Sequence, residues 1–343
     1  LNVAKRIEHI DSIRAIAVLL MVMVHAAATW GPSSTTQPSV LVYVVSGLGG
    51  LAAPLFVTVF GWGCVQGTST QRQRTMRAMF FIVAQGAINA SSPHLFEFWT
   101  PGVLTLFGLL TLTQPVWLKA LKSEKIPTFH LAALVSFSTI LLVPELQGQS
   151  VWASRIGTPS IQQWFEHALL TGTYPLFPWF MYAMFGAWIA ISDGKPGMFP
   201  TSKASLSMLV GAFFCTAFTL GYSVYRDLQW AAPTGDALLT FFPANVPFLI
   251  ASMLGVSLIW LILERVPLPQ LSLLGQRSLT IYLAHFIPIG LFYSLDETYG
   301  FSLAASMAFV IAYTVVWWPA AHAWDRLAPR MNVEQLFRAL SKD

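Results

Sequence analysis

Ten blocks of apolar residues, each roughly 20 long, follow one another along this chain with more polar connections between them. An apolar helix of that length crosses a hydrocarbon core about 30 Å thick, and no soluble fold needs ten of them in series. Alternating segments of about 10 residues, the mark of an outer-membrane barrel, are absent. The predicted helices cover residues 12–30, 41–66, 75–92, 101–118, 127–146, 175–192, 203–222, 246–264, 272–294 and 300–320. Only 10% of the 343 residues are charged, against about 25% in soluble domains, too few to clothe a soluble surface of this size. The expectation is an all-α integral membrane protein, one domain over residues 1–343. Its 13 Trp and 25 Phe suit aromatic belts at the two interfaces. The second block carries Gly47, Gly49, Gly50 and Pro54, and so is expected to begin as a separate or re-entrant turn.

Charge orients the bundle. Every Lys and Arg except Arg155 and Arg226 falls on the N-terminal side, in or beside alternate loops, or in the C-terminal tail, 17 of 19 on one side. Positive charge marks the cytoplasmic side, which puts both ends of the chain inside. This distribution accounts for the net charge of +4, so no nucleic-acid partner is called for. The N-terminus has no short apolar run followed by a cleavage site, and the first helix reads as a retained anchor. Cys64 and Cys215 sit inside apolar blocks with no metal-ligand spacing, so no metal is expected. The outside loops 147–174 and 223–245 are long, and Ile161–Leu170 has the pattern of a short helix lying on the outer surface. Gly61, Gly63 and Gly67 form a small-residue seam of the kind at which membrane helices pair, including in homodimers.

Ionisable residues within a span are the functional candidates. The first helix reads His9-Ile-Asp11-Ser-Ile-Arg14, then ten apolar residues, then His25. Arg14 and His25 are about three turns apart and share a face, and Asp11 is a helical neighbour of Arg14. One stripe thus runs from the cytoplasmic mouth to an imidazole past the membrane midpoint. A neutral imidazole in a dry site is what a general base needs. His285 lies as far along the ninth helix, Gly275-Gln-Arg277-Ser-Leu-Thr-Ile-Tyr282-Leu-Ala-His285, as His25 does along the first, which points to a shared site. Gln85 and Asn89, four apart within a span, are candidates to line the cavity. His94, with Glu97, is a candidate acceptor contact in an outside loop. Arg72, Arg74 and Arg77, with Arg14 and Arg277, form a basic set suited to a phosphorylated donor. Neither a P-loop, a GxGxxG nor a GxSxG pattern is present.

Asp11, Arg14 and His25, in that order on an apolar helix, resemble the opening of the transmembrane acyltransferase superfamily. Ala53-Pro54-Leu-Phe56-Val-Thr-Val-Phe-Gly61 is similar to its second-helix motif, and Leu274–His285 to its late-helix motif. Pro101-Gly102-Val103-Leu104 and Tyr174-Pro175-Leu-Phe-Pro178-Trp179 look most like the heparan-α-glucosaminide N-acetyltransferase-like branch. The resemblance implies transfer of an acyl group from a cytosolic acyl-CoA, with acetyl-CoA the first expectation. The acceptor would be a hydroxyl or amine on an extracytoplasmic sugar or polysaccharide, in a prokaryotic plasma membrane. It implies His25 as general base or acyl carrier, and Arg14 on the donor phosphate or carbonyl with Asp11 orienting it. His285 would position the acceptor or stabilise the oxyanion, with Gln85, Asn89, His94, Trp179 and Tyr282 around the substrate. The alternative is a transporter or flippase with His25 and His285 as a proton relay.

Overall fold

Local signals start the helices of the computed structural model, which describes residues 7–31, 40–123, 127–192 and 196–339. Glu8 and Asp11 lie in the first turn of α1 (Glu8–Trp30), where acids suit the helix dipole. Thr70 and Gln73 close a capping box at the head of α4 (Gln71–Ser91). Ser202, Asn245 and Ser302 cap the next long helices by accepting backbone N–H groups from Ser205, Phe248 and Ala305.

Among the described residues the regular structure is helical except for a parallel bridge between Ala231–Ala232 and Leu239–Thr240. After α1 come α2 (Val40–Gly49) and α3 (Ala52–Gln66), then α4 and α5 (Val103–Leu121). The expected block 41–66 is therefore two helices, split beside Gly50. α6 (Thr128–Leu142) leads into a loop region holding α7 (Trp152–Ile156) and α8 (Ile161–Glu166). The helix expected at Ile161–Leu170 is present, and runs on through a π turn to Thr171. α9 (Leu176–Ser192), α10 (Lys203–Arg226) and α11 (Val246–Arg265) follow. The block at 272–294 is broken into α12 (Ser272–Gln276), α13 (Ser278–Ala284) and α14 (Phe286–Leu291). α15 (Leu295–Tyr299), α16 (Leu303–Leu327) and α17 (Val333–Ala339) complete the chain.

Helix occurs in all ten expected segments, and six stretches among the described residues are long and apolar enough to cross a membrane. They are Glu8–Trp30, Gly47–Gln66, Val103–Leu121, Lys203–Arg226, Val246–Arg265 and Leu303–Leu327. A seventh would arise if Ile161–Thr171 and Leu176–Ser192, bent by 46°, count together. α6 and the α13–α14 run are apolar but shorter. α10 turns Phe213, Phe214, Phe218 and Val224 outward, as a helix facing lipid does.

α1 is the hub, packed against α3, α11, α12, α13 and α16. It runs alongside the broken ninth segment in the same direction: Asp11 meets Gly275 at one end, and His25 meets His285 farther along. α3 crosses α9 so closely that a Cβ on Gly61 would strike the Ala183 carbonyl, and one on Gly186 the Thr58 carbonyl. Gly61 therefore serves a seam inside the protein, whereas Gly63 and Gly67 face open space. Gly186→Val is expected to force α3 and α9 apart at a cost of about 3 kcal/mol. Its melting midpoint in detergent should fall by several degrees, and an unchanged midpoint would refute the seam.

Both described chain ends meet at one end of the bundle. Gln276 Nε2 donates to Asp11 Oδ2 at 3.4 Å, and Glu334 of α17 accepts from the Leu279 and Thr280 amides at 2.9 and 3.0 Å. The opposite end is roofed by the loops around residues 92–102, 144–175 and 227–245. Buried Arg155 pins that roof, donating to the carbonyls of Gln147, Thr171 and Gly172 at 2.9–3.0 Å. Desolvation lowers its pKa to about 10, which still leaves it charged at neutral pH. This exception to the charge pattern is thus a structural cation. Arg155→Met should strand three carbonyls, cost about 2–4 kcal/mol and open the roof to protease; wild-type protease resistance would count against it. Lys5, Arg6, Lys125, Lys195 and Lys342 lie outside the described residues.

Candidate active site

His25 sits four residues beyond Met21 on the buried face of α1, and His285 sits at the joint between α13 and α14. The two imidazoles meet directly, with His25 Nδ1 2.8 Å from His285 Nε2 and the rings stacked at 5.1 Å. His285 is wholly buried, while His25 keeps 9% of its surface.

The partners fix the proton positions. His285 Nδ1 lies 3.1 Å from the Ile281 carbonyl, an atom that only accepts, so this nitrogen carries the hydrogen. In a neutral ring Nε2 is then bare, and it accepts from His25 Nδ1–H. That leaves the lone pair of neutral His25 on Nε2, the atom pointing away from the pair. A carbonyl, a first histidine and a second thus hold one imidazole in a base-ready tautomer.

Phe286 packs 4.5 Å from the His25 ring and 4.2 Å from His285. Tyr282 lies 6.4 and 5.6 Å from the two, and its ring also faces Phe56. Tyr313 of α16 donates its hydroxyl to the His285 carbonyl at 2.6 Å, holding the helix joint where the ladder is broken. Such a low-dielectric shell strengthens the polar contacts it encloses.

At the end carrying the termini, Arg14 lies 3.7 Å from buried Asp11, with its side chain about one-third exposed. Asp11 is held from the other side by Gln276, and a Cβ on Gly275 would collide with the Asp11 carbonyl. The guanidinium is thus presented at the surface by a buried carboxylate. The other arginines differ. Arg277 pairs with Asp325 of α16. Arg74 folds back on the Ser69 carbonyl and Gln71, Arg77 stacks over Phe337 of α17 at 5.6 Å, and Arg72 is exposed. They share the end of the bundle with Arg14.

Gln85 and Asn89 do not project into open space. Gln85 Nε2 donates to Asn89 Oδ1 at 2.9 Å, and Gln85 Oε1 accepts the Leu104 amide at 3.1 Å. Asn89 donates to the Phe98 and Thr100 carbonyls, both at 2.9 Å. A Cβ on Gly102 would strike the Gln85 amide, so the pair clamps the turn into α5. Trp179 is likewise committed, buried against Tyr174, Tyr182 and Phe241.

His94 is exposed at the roofed end, stacked 5.1 Å from Tyr293. Its Nε2 is 3.3 Å from the Thr29 hydroxyl, which in turn donates to the His25 carbonyl. His94 therefore marks the surface one turn beyond His25. Desolvation lowers its pKa, so it is neutral at pH 7. Among the described residues, no group of three or more His, Cys, Asp or Glu is placed to hold a metal.

Sequence reasoning missed Tyr313, Asp325, Gln276 and Glu334. A hydroxyl within an apolar helix marked Tyr313, and an acid ending the same helix marked Asp325, but their partners are 28 and 48 residues away in sequence.

An acyltransferase-domain family model matches residues 7–321. No curated protein matches the chain.

Proposed function

From the premise that this chain belongs to the acyltransferase family 3 superfamily, and so is a multi-pass membrane acyltransferase, we propose that it acylates an extracytoplasmic glycan at the expense of cytosolic acyl-CoA. The observation that carries this reading is the His25–His285 pair, held in one tautomer by the Ile281 carbonyl.

The acceptor hydroxyl or amine reaches His25 from the roofed end, past His94. His25 Nε2 takes its proton as the acceptor atom attacks the thioester carbonyl carbon. The developing imidazolium is stabilised by its Nδ1–H bond to His285. The tetrahedral intermediate collapses by breaking the C–S bond, and His25 returns the proton to the departing thiolate. One ester or amide forms, one thioester is consumed, and free CoA leaves. The Tyr282 hydroxyl, which makes no hydrogen bond among the described residues, is available to the carbonyl oxygen as its charge grows.

In this reading the end carrying the termini faces the cytosol and Arg14 binds donor phosphate. α4, α6, α9 and the α12–α14 run then complete ten spans of one domain in a prokaryotic plasma membrane. The Pro101–Leu104 and Tyr174–Trp179 stretches favour the heparan-acetyltransferase-like branch.

Titration of the purified protein with acetyl-CoA in detergent tests the donor. Arg14→Ala should weaken binding about tenfold or more, the effect of one charge-assisted hydrogen bond. Equal affinity in the two proteins would remove Arg14 from the donor site.

A further inference from the structure

A cavity of about 130 Å³ lies beside the histidine pair, on the side toward the chain termini. Met21 of α1 and Tyr282 of α13 bound it nearest His25, and Ser278 and Leu279 bound it one turn closer to Arg277. Its other walls are Phe56, Phe60, Phe81, Val103, Leu104 and Phe107. Phe107 is stacked on Phe60 at 4.8 Å and tilted against Phe81 at 5.7 Å, so the far wall is a rigid aromatic sheet. Phe337 of α17 backs Phe81 from outside at 5.1 Å.

The lining decides what this space can hold. Among the described residues, Ser278 and Tyr282 offer its only side-chain hydroxyls; the other eight lining residues are apolar. The amides of a pantetheine arm would be stranded there, at a cost of about 1–3 kcal/mol for each unpaired group. An alkyl chain has no such groups. A similar cavity of ~150 Å³ lined by Leu, Ile and Phe holds benzene, so this one takes about four to six carbons.

We propose that this cavity is an acyl-chain pocket, and that it selects a short-to-medium acyl donor of about four to six carbons over acetyl. The inference rests on the acyl-CoA reading and refines it. With the thioester carbonyl between Tyr282 and His25, the acyl chain turns into the aromatic pocket while the thiol arm runs toward Arg14. Acetyl would leave the pocket empty.

Calorimetric titration with CoA and with acetyl-, butanoyl-, hexanoyl- and decanoyl-CoA tests this on the detergent-purified full chain. Affinity should rise about fourfold per methylene, giving about 15-fold from acetyl to butanoyl, and level off near six carbons. Leu104→Phe fills the pocket and should bring the butanoyl-to-acetyl ratio close to one. Phe107→Ala enlarges it and should move the plateau to longer chains, which keeps the test open if the first variant fails to fold. A flat series in the wild type, or a series that both variants leave unchanged, would overturn the pocket and leave the acyl-CoA donor standing. Absence of binding by every thioester would overturn the pocket and the donor reading together.

Discussion

His25→Ala will lose acyl transfer by roughly 10³-fold or more, as expected when a general base is removed from a dry site. The measurement is release of CoA thiol by membranes that supply the natural acceptor, normalised to inserted protein. Loss of the imidazole leaves His285 Nε2 without its partner, a cost of about 1–3 kcal/mol. The variant should therefore melt somewhat earlier while still folding. Donor binding should survive, because Arg14 and the rest of the α1 mouth are three turns away. A His25→Ala protein with wild-type thiol release would end the assignment of the base.

His285 gives the second large effect, and its variants separate positioning from bulk. His285 acts through His25: with its own Nδ1–H fixed on the Ile281 carbonyl, its Nε2 holds the His25 proton on Nδ1. In His285→Leu that constraint vanishes, the His25 tautomer is free to change, and the imidazolium loses its stabilising acceptor. Turnover should fall by roughly 10²–10⁴-fold, the scale seen when a base's orienting partner is replaced and the tautomer goes wrong. His285→Gln offers an amide oxygen near the place of Nε2 and should recover much of the loss in kcat. KM for the donor should hold in both. If Leu and Gln are equally damaging, the role of His285 is packing against Phe286 and Tyr282.

Helix spacing made the site's central axis legible. Asp11, Arg14 and His25 lie on one helix, where distance and face follow from the residue count. His285 was legible because two parallel helices starting at the same end carry their histidines to similar depth. The breaks at Arg277 and His285 do not follow from the spacing, although Pro288 lacks the N–H that would bond the Ala284 carbonyl and so marks the second of them. Gln85 and Asn89 show a different limit. Their spacing is visible, but their partners are the backbone of Phe98, Thr100 and Leu104, which only the folded turn brings near. Arg277 read as a free cation because Asp325 was assigned to a tail. Glu334 and Phe337 escaped for the same reason, although an acid and an aromatic three apart are the mark of a short helix with one packed face. Six stretches among the described residues are long and apolar enough to span, and α6 shows where block length misleads: its helix stops after 15 residues, just ahead of Pro144.

Sealed membrane vesicles of both orientations, given acyl-labelled CoA, test the central claim most directly. The account predicts label on luminal, membrane-protected glycan in inverted vesicles carrying the wild-type protein. It predicts none in right-side-out vesicles or in inverted vesicles carrying His25→Ala. Label appearing equally in both orientations, or independently of His25, would contradict transfer from a cytosolic donor through this histidine pair.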